Sequence, residues 1–126
     1  MDRLLWVVQI LLAAVFAFAG STKAFKPVVE LSMSMPWVIE TPTWMVRTAG
    51  FAELVGMLGL IVPSATRIKP ELTPLAALGL ALVMVFAAIL HISHGDYGLV
   101  LPNVVLFGAS MLVWWGRTKK APLAPK

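Results

Sequence analysis

The chain has 126 residues, of which 60% are hydrophobic and 13% are charged, and it contains no cysteine. A soluble domain of this size cannot bury so many apolar side chains, so the composition excludes an ordinary water-soluble globule and predicts a single membrane domain. The missing thiols exclude disulfide chemistry, thiolate zinc sites and cysteine-ligated iron–sulfur clusters. The net charge of +4 does not indicate nucleic-acid binding, because the basic residues flank apolar runs, where they set topology and contact anionic lipids.

Four apolar runs predict four membrane-spanning α-helices. They cover residues 4–22, 44–63, 72–92 and 99–116. A helix needs roughly 20 residues to cross the hydrocarbon core, and no run shows the strict alternation of a barrel strand. We therefore predict an all-α fold, a four-helix transmembrane bundle in residues 1–117, followed by a disordered cytoplasmic tail in residues 118–126.

The first apolar run has a second interpretation, a cleaved signal peptide. Ala17-Phe18-Ala19 is similar to a cleavage site, and Arg3 provides a basic start. The run is long for the apolar part of a signal, however, and Lys23 follows it closely. We favour a retained span.

An interfacial segment is predicted between the first two spans, at residues 26–43. It is apolar for a loop but is interrupted by three prolines. Trp37 and Trp44 have amphipathic rings suited to the headgroup level. We expect the segment to fold over the mouth of the bundle and to be partly helical between residues 27 and 35.

The basic residues predict the orientation. Those at the N-terminus, between the second and third spans and in the C-terminal tail share one side, and they are Arg3, Arg67, Lys69, Arg117, Lys119, Lys120 and Lys126. Only Lys23, Lys26 and Arg47 lie on the other side. The positive-inside rule then places both termini in the cytoplasm, and we expect a multi-pass protein of a bacterial inner membrane.

Polar residues converge on the outer half of the predicted bundle. Glu53 lies about 13 Å into the second span at 1.5 Å per residue, where a carboxylate costs about 2.5–3.5 kcal/mol. Lys23, Arg47, His91 and Asn103 lie in the same half, so every span contributes to the group. We interpret these five residues as a candidate ligand-binding site that binds a polar headgroup or relays protons. The alternative is a buried ion-pair network around Glu53 that fixes helix register.

The end of the third span holds a group of candidate metal ligands. His91 and His94 are three residues apart and share a helix face, and Asp96 offers an oxygen ligand. Because the helix is expected to end near Gly95, we favour capping and interface contacts and predict no metal site.

Small residues at spacings of three and four mark packing faces on the first three spans. Examples are Ala13, Ala17 and Gly20, then Ala52, Gly56 and Gly59, then Ala77, Ala81 and Ala88. Such faces indicate a tight bundle. They do not distinguish contacts within one chain from contacts between chains.

Glycine and polar residues also recur in a set order along the chain. The motifs are Gly20-x-x-Lys23, Gly50-x-x-Glu53-x-x-Gly56, Gly59-Leu60-x-x-Pro63, and Ala87-Ala88 followed by His91 and Gly95-Asp96. Together they resemble the DoxX-like family of small four-helix membrane proteins over about residues 4–116. The resemblance implies the four-helix fold, and it selects Lys23, Glu53 and His91, which the depth argument selects independently.

The resemblance also carries a functional expectation. The DoxX-like family is named for a subunit associated with a thiosulfate:quinone oxidoreductase, and relatives are linked to membrane redox complexes. An accessory subunit that binds quinone or lipid is therefore implied. A related four-helix architecture in thiol-redox quinone enzymes uses cysteine pairs, and that chemistry does not transfer to a chain without cysteine.

Two other classes of function stay open at this stage. In the first, the small-residue faces dock another membrane protein or a second copy, as in a chaperone-like or scaffold protein. In the second, Glu53 is the coupling carboxylate of a small transporter, which would require a dimer because four helices are few for transport.

Overall fold

The computed structural model describes residues 1–35, 39 and 41–125, and within them the chain forms helices without strands. The α-helices are α1 (Asp2–Phe25), α2 (Val28–Ser34), α3 (Thr43–Thr66), α4 (Leu72–Ser93) and α5 (Val100–Trp115). A 3₁₀ turn at Tyr97–Leu99 precedes α5, and a π-helical turn at Gly116–Lys120 follows it.

Four helical stretches are long and apolar enough to cross a membrane. They are α1, α3, α4 and the combined stretch Tyr97–Lys120. The predicted all-α bundle with four spans is thereby confirmed, and the protein is an integral, multi-pass membrane protein. The stretches run longer than the predicted apolar runs because polar residues at their ends continue the helices.

Successive spans alternate in direction, so the bundle has two distinct ends. The terminal end holds both termini and the turn between α3 and α4, whereas the distal end holds α2 and the turn Tyr97–Leu99. The largest helix–helix contacts join α1 to α3, α3 to α4, and α4 to α5. The contact between α1 and α5 is small. The four spans therefore form a row that curls around a shared core.

The core is small and apolar, and all four spans contribute to it. Phe16 of α1, Leu60 of α3, Leu80 of α4 and Val113 of α5 are almost fully buried and belong to one cluster. Large apolar side chains also cover much of the outside, including Phe86. In a bilayer those outer side chains contact lipid, so their exposure agrees with a membrane protein.

Glycines let α1 and α3 touch backbone to backbone near the distal end. A Cβ on Gly50 would lie 2.6 Å from the amide nitrogen of Ala24 and 2.8 Å from the carbonyl oxygen of Gly20. Neither glycine has room for a side chain. The two helices meet at the closest distance that their backbones allow.

Glycines also allow a close contact between α3 and α4, nearer the terminal end of the bundle. A Cβ on Gly56 would collide with Leu80, and a Cβ on Gly59 would lie 2.5 Å from Cβ of Ala76. The glycine positions of the second predicted span therefore pack within one chain.

Pro63 interrupts the hydrogen bonds inside α3, and a neighbouring helix compensates for it. Proline has no N–H, so the carbonyl oxygen of Gly59, four residues earlier, loses its usual helical donor. The Thr73 hydroxyl donates to that oxygen at 3.0 Å. An open carbonyl is costly in an apolar medium, and this bond ties α4 to α3.

The predicted interfacial segment is helical in part, as expected. α2 buries Leu31 against Val46 at the start of α3, with Val28 and Met35 beside them. Trp37 lies outside the described residues. Trp44 lies in the first turn of α3 and is largely exposed, and its headgroup-level placement stays a prediction.

The C-terminal stretch stays helical beyond the predicted domain boundary. The turn Gly116–Lys120 continues the fourth span past residue 118 because Arg117 is anchored inside the bundle. The irregular part of the described chain begins at Ala121, and disorder of the tail stays a prediction.

Candidate functional site

A buried ion pair joins α1 to α3 near the distal end. The Nζ of Lys23 donates to Oε1 of Glu53 at 2.7 Å, and the two side chains are 13% and 1% exposed. The costly carboxylate predicted in the second span thus has a cationic partner, supplied by the first span.

The ion pair follows from the direction of side chains on antiparallel helices. Helical side chains lean toward the N-terminus of their own helix. Lys23 therefore leans from the end of α1 toward the bundle centre, and Glu53 leans along α3 toward the distal end. The close approach at Gly20 and Gly50, each three residues earlier, brings the helix axes near enough for the two side chains to meet.

A pocket of about 280 Å³ lies above this ion pair at the distal end, and we call it the distal pocket. Four of the five predicted site residues line it, namely Lys23, Glu53, His91 and Asn103. The structure therefore brings together side chains from α1, α3, α4 and α5. The rest of the lining is mostly apolar.

Arg47, the fifth predicted residue, does not line the distal pocket in the described structure. Its Nη1 donates instead to the carbonyl oxygen of Lys23 at 2.8 Å. The six-residue separation from Glu53 turns the two side chains about 120° apart around α3, so they face different neighbours. Arg47 thus satisfies one open C-terminal carbonyl of α1, that of Lys23, and holds the backbone that carries this lysine.

Two buried polar atoms of the pocket have no hydrogen-bond partner among the described residues. They are Oε2 of Glu53 and Nδ2 of Asn103. Buried polar atoms are nearly always satisfied by protein, water or ligand. One unused acceptor and one unused donor thus line the same small space.

Two threonines complete the pocket lining and were not predicted. Thr41 is buried before α3, and Thr48 lies one turn into the helix. Both lie within the same apolar surroundings as the charged residues. Spacing from Glu53 could not have identified Thr48, because five residues turn a helix by about 140°. The position of Thr41 depends on how the chain enters α3.

The candidate metal ligands are not assembled into a site. Within the described residues, no three His, Cys, Asp or Glu side chains lie close enough together to hold a metal ion. His91 faces the distal pocket, while His94 lies at the C-terminal cap of α4 and Asp96 in the turn that follows.

A second polar cluster lies at the terminal end, where the sequence indicated only a basic anchor. Arg117 is 4% exposed; its Nε donates to Oε1 of Gln9 and its Nη1 donates to Oδ1 of Asp2, both at 2.7 Å. Gln9 in turn donates to the carbonyl oxygen of Leu60 and to Oγ of Ser64. This terminal cluster closes the row of helices by joining the end of the fourth span to α1 and α3.

One signal could have identified the terminal cluster in advance. Gln9 is an uncharged polar residue in the middle of the first apolar run, and intramembrane amides usually bond to another helix. Its partner Arg117 is 108 residues away, so spacing alone could not pair them.

The distal pocket has the chemistry to hold a polar head within an apolar cavity. An ammonium group offers three N–H donors, a carboxylate accepts several hydrogen bonds and a carboxamide does both. Lys23 and Glu53 also neutralise each other, so a neutral or zwitterionic head fits without an unpaired charge.

Comparison with known proteins adds a family assignment. The model of the DoxX-like family matches residues 7–113, which covers α3 and α4 entirely and most of the first and fourth spans. No curated protein and no solved structure matches the chain. The match extends over most of the sequence and includes the glycines and the ion pair that build the distal end, so the chain belongs to the DoxX-like family.

Proposed function

We propose that the protein is an accessory membrane subunit that binds an amphiphilic ligand, a quinone or a lipid, in the distal pocket. The observation that carries this proposal is the fully buried Glu53, whose second oxygen has no hydrogen-bond partner among the described residues, while Asn103 offers an unused donor in the same pocket. An arrangement that served only to join helices would gain nothing from an adjacent cavity.

The described contacts suggest how a quinone head would be held. A quinone carbonyl accepts hydrogen bonds from the ammonium of Lys23 or from the imidazole of His91, and Glu53 exchanges a proton nearby. The apolar lining excludes water, which strengthens each of these bonds. A lipid headgroup with hydroxyl or phosphate oxygens would use the same donors.

The association with a redox system rests on family resemblance. The DoxX-like family is named for a subunit that accompanies a quinone-reducing enzyme, and this chain lacks the cysteines with which related quinone proteins perform thiol chemistry. A binding or accessory role is therefore favoured over independent thiol oxidation.

Native mass spectrometry with lipid extraction tests the proposal on protein purified in a mild detergent. We expect a quinone or lipid to accompany the native protein and to fall roughly tenfold in Glu53→Gln, as the loss of a buried charged hydrogen bond predicts. Asn103→Leu, which leaves the ion pair intact, should lower it too. Glu71→Gln, the same chemical change in the exposed turn before α4, should retain it.

Equal ligand content in all four proteins would contradict the proposal. A protein partner or a dimer that persists in Glu53→Gln, with no ligand in any variant, would favour the scaffold class and make Glu53 a structural ion pair. Since Gly20 and Gly50 meet backbone to backbone inside the chain, those two small-residue positions are not available for a partner.

A further inference from the structure

A recess of about 770 Å³ follows the contact between α3 and α4 on the outside of the bundle, and we call it the α3–α4 groove. It extends from Thr48 to Pro63 along α3 and from Leu72 to Val83 along α4. Gly79 opens it to the bilayer, since a Cβ there would meet nothing within 4 Å. The groove is almost entirely apolar.

The groove and the distal pocket adjoin each other. Thr48, Ala52 and Val83 line both cavities, so a pocket with charged residues borders an apolar groove at these three side chains. Among the described residues, the pocket holds an oxygen of the buried Glu53 that has no hydrogen-bond partner, and the groove has no charged lining residue. This polarity corresponds to that of an amphiphile with a head and a tail.

We propose, on the basis of the function proposed above, that the ligand has a polar head in the distal pocket and one long apolar chain in the α3–α4 groove. The groove is a single recess between α3 and α4 that begins at the edge of the pocket, so it accommodates one chain. Isoprenoid quinones and single-chain lipids share this chemistry.

The groove is longer along α3 than one leaflet of a bilayer is deep. From Thr48 to Pro63 the helix rises about 22 Å at 1.5 Å per residue. One leaflet is about 15 Å deep, half of a hydrocarbon core of about 30 Å. A chain that fills the groove therefore passes the bilayer centre, as a polyisoprenoid tail can.

Gly79→Leu is the variant that separates the tail from the head. The leucine would occupy the groove, and the open space around Gly79 means that no helix has to move. Gly108→Leu is the matched control, because a Cβ on Gly108 also meets nothing within 4 Å, and Gly108 lines neither cavity.

The experiment measures dissociation constants for two ligand series on the purified, delipidated full chain in detergent micelles. One series is quinones with the same head and a short or a long isoprenoid tail. The other is single-chain phospholipids with a short or a long acyl chain. We expect the long tail to bind roughly fivefold to tenfold more tightly to the native protein, a modest gain because a free tail is already in an apolar medium.

In Gly79→Leu this gain should disappear while short-tail affinity stays within about twofold, and Gly108→Leu should behave as the native protein does. If only the quinone series loses the long-tail gain in Gly79→Leu, the ligand is a quinone; if only the phospholipid series does, it is a single-chain lipid. If the long tail still binds more tightly than the short tail to Gly79→Leu, the proposal is wrong. It is also wrong if the native protein is a dimer that Gly79→Leu dissociates, because the groove would then be an interface between copies.

Short-tail binding distinguishes this proposal from the function on which it rests. If short-tail ligands bind and Glu53→Gln abolishes their binding, the head site is present and only the tail assignment is at stake. If no member of either series binds the native protein, the head site is absent and both proposals are wrong.

Discussion

Two basic residues near the distal end offset the desolvation cost of burying the Glu53 carboxylate. Glu53 is almost fully buried, and it is tolerated because Lys23 neutralises it and because Arg47 holds the backbone of that lysine. Removing one partner of a buried pair leaves an unpaired charge, which costs far more than the pair itself contributes. The stability of this site is therefore a property of the pair and not of either residue.

A double-mutant comparison tests this balance. We expect Lys23→Met to lower the free energy of unfolding by about 3–5 kcal/mol, because Glu53 is left buried without its cation. Lys23→Met combined with Glu53→Leu should recover most of the loss. Denaturant unfolding in detergent provides the measurement. Equal losses in the single and double variants would contradict the expectation.

The sequence predicted these site residues to different degrees, and the difference has physical causes. Depth along a helix selected Glu53 and Lys23, because a charge in hydrocarbon requires a partner. Depth could not show on which side of α3 the guanidinium of Arg47 would bond, since that depends on where α1 ends. Gln9 is evident in the sequence as a polar residue within an apolar run. Its partner Arg117 follows the fourth apolar run among other basic residues, which is typical of a residue at the membrane surface.

Among the helices, close packing depends on a few positions without side chains. The backbone contact of Gly20 with Gly50 sets the distance between α1 and α3. The ion pair next to it is only as short as that distance allows. In Gly20-x-x-Lys23 and Gly50-x-x-Glu53, the glycine therefore allows the helices to pack closely and the charged residue three positions later contributes to the ion pair.

Gly50→Ala tests the packing element directly. The new methyl group would lie 2.6 Å from the nitrogen of Ala24, so α1 must move away from α3. We expect a loss of about 1–3 kcal/mol in unfolding free energy, typical of overpacking. Gly108→Ala, which meets open space, serves as control and should be neutral or slightly stabilising, since alanine is the better helix former. A similar effect in both variants would indicate a propensity effect and not a packing effect.

The four helices themselves were predictable from composition alone, because lipid leaves the backbone few alternatives to a helix. Their ends were less predictable. The turn Gly116–Lys120 continues the fourth span since Arg117 bonds to Gln9 and Asp2 of α1, contacts that no local pattern indicates.

On the scale of the whole molecule, the protein has two different polar ends. The terminal end is closed by the Arg117 cluster, whereas the distal end opens into a pocket and a groove. The predicted orientation places the pocket on the outer side of the membrane, because most basic residues lie at the terminal end.

Cysteine labelling tests this orientation, because an introduced cysteine is the only one in the sequence, so label on the purified protein reports that position alone. We expect a membrane-impermeant maleimide to label Tyr97→Cys in intact cells, since Tyr97 is exposed at the distal end. Ile68→Cys, in the exposed turn between α3 and α4, should be labelled only after the membrane is permeabilised. The reverse pattern would place the pocket on the cytoplasmic side and would contradict the positive-inside prediction.

The ion pair between α1 and α3 has a consequence for biogenesis. Lys23 lies near the end of α1 and can extend its ammonium toward the interface, so α1 can partition into lipid early and alone. Glu53 lies in the middle of α3, and its transfer is favourable only when Lys23, 30 residues upstream, is within reach. Insertion of α3 is therefore favoured while α1 is still beside the site of insertion, where Lys23 can pair with Glu53. α5 carries no charged residue in Val100–Trp115, so it can insert without a charged partner and then pack against the helices already in the bilayer.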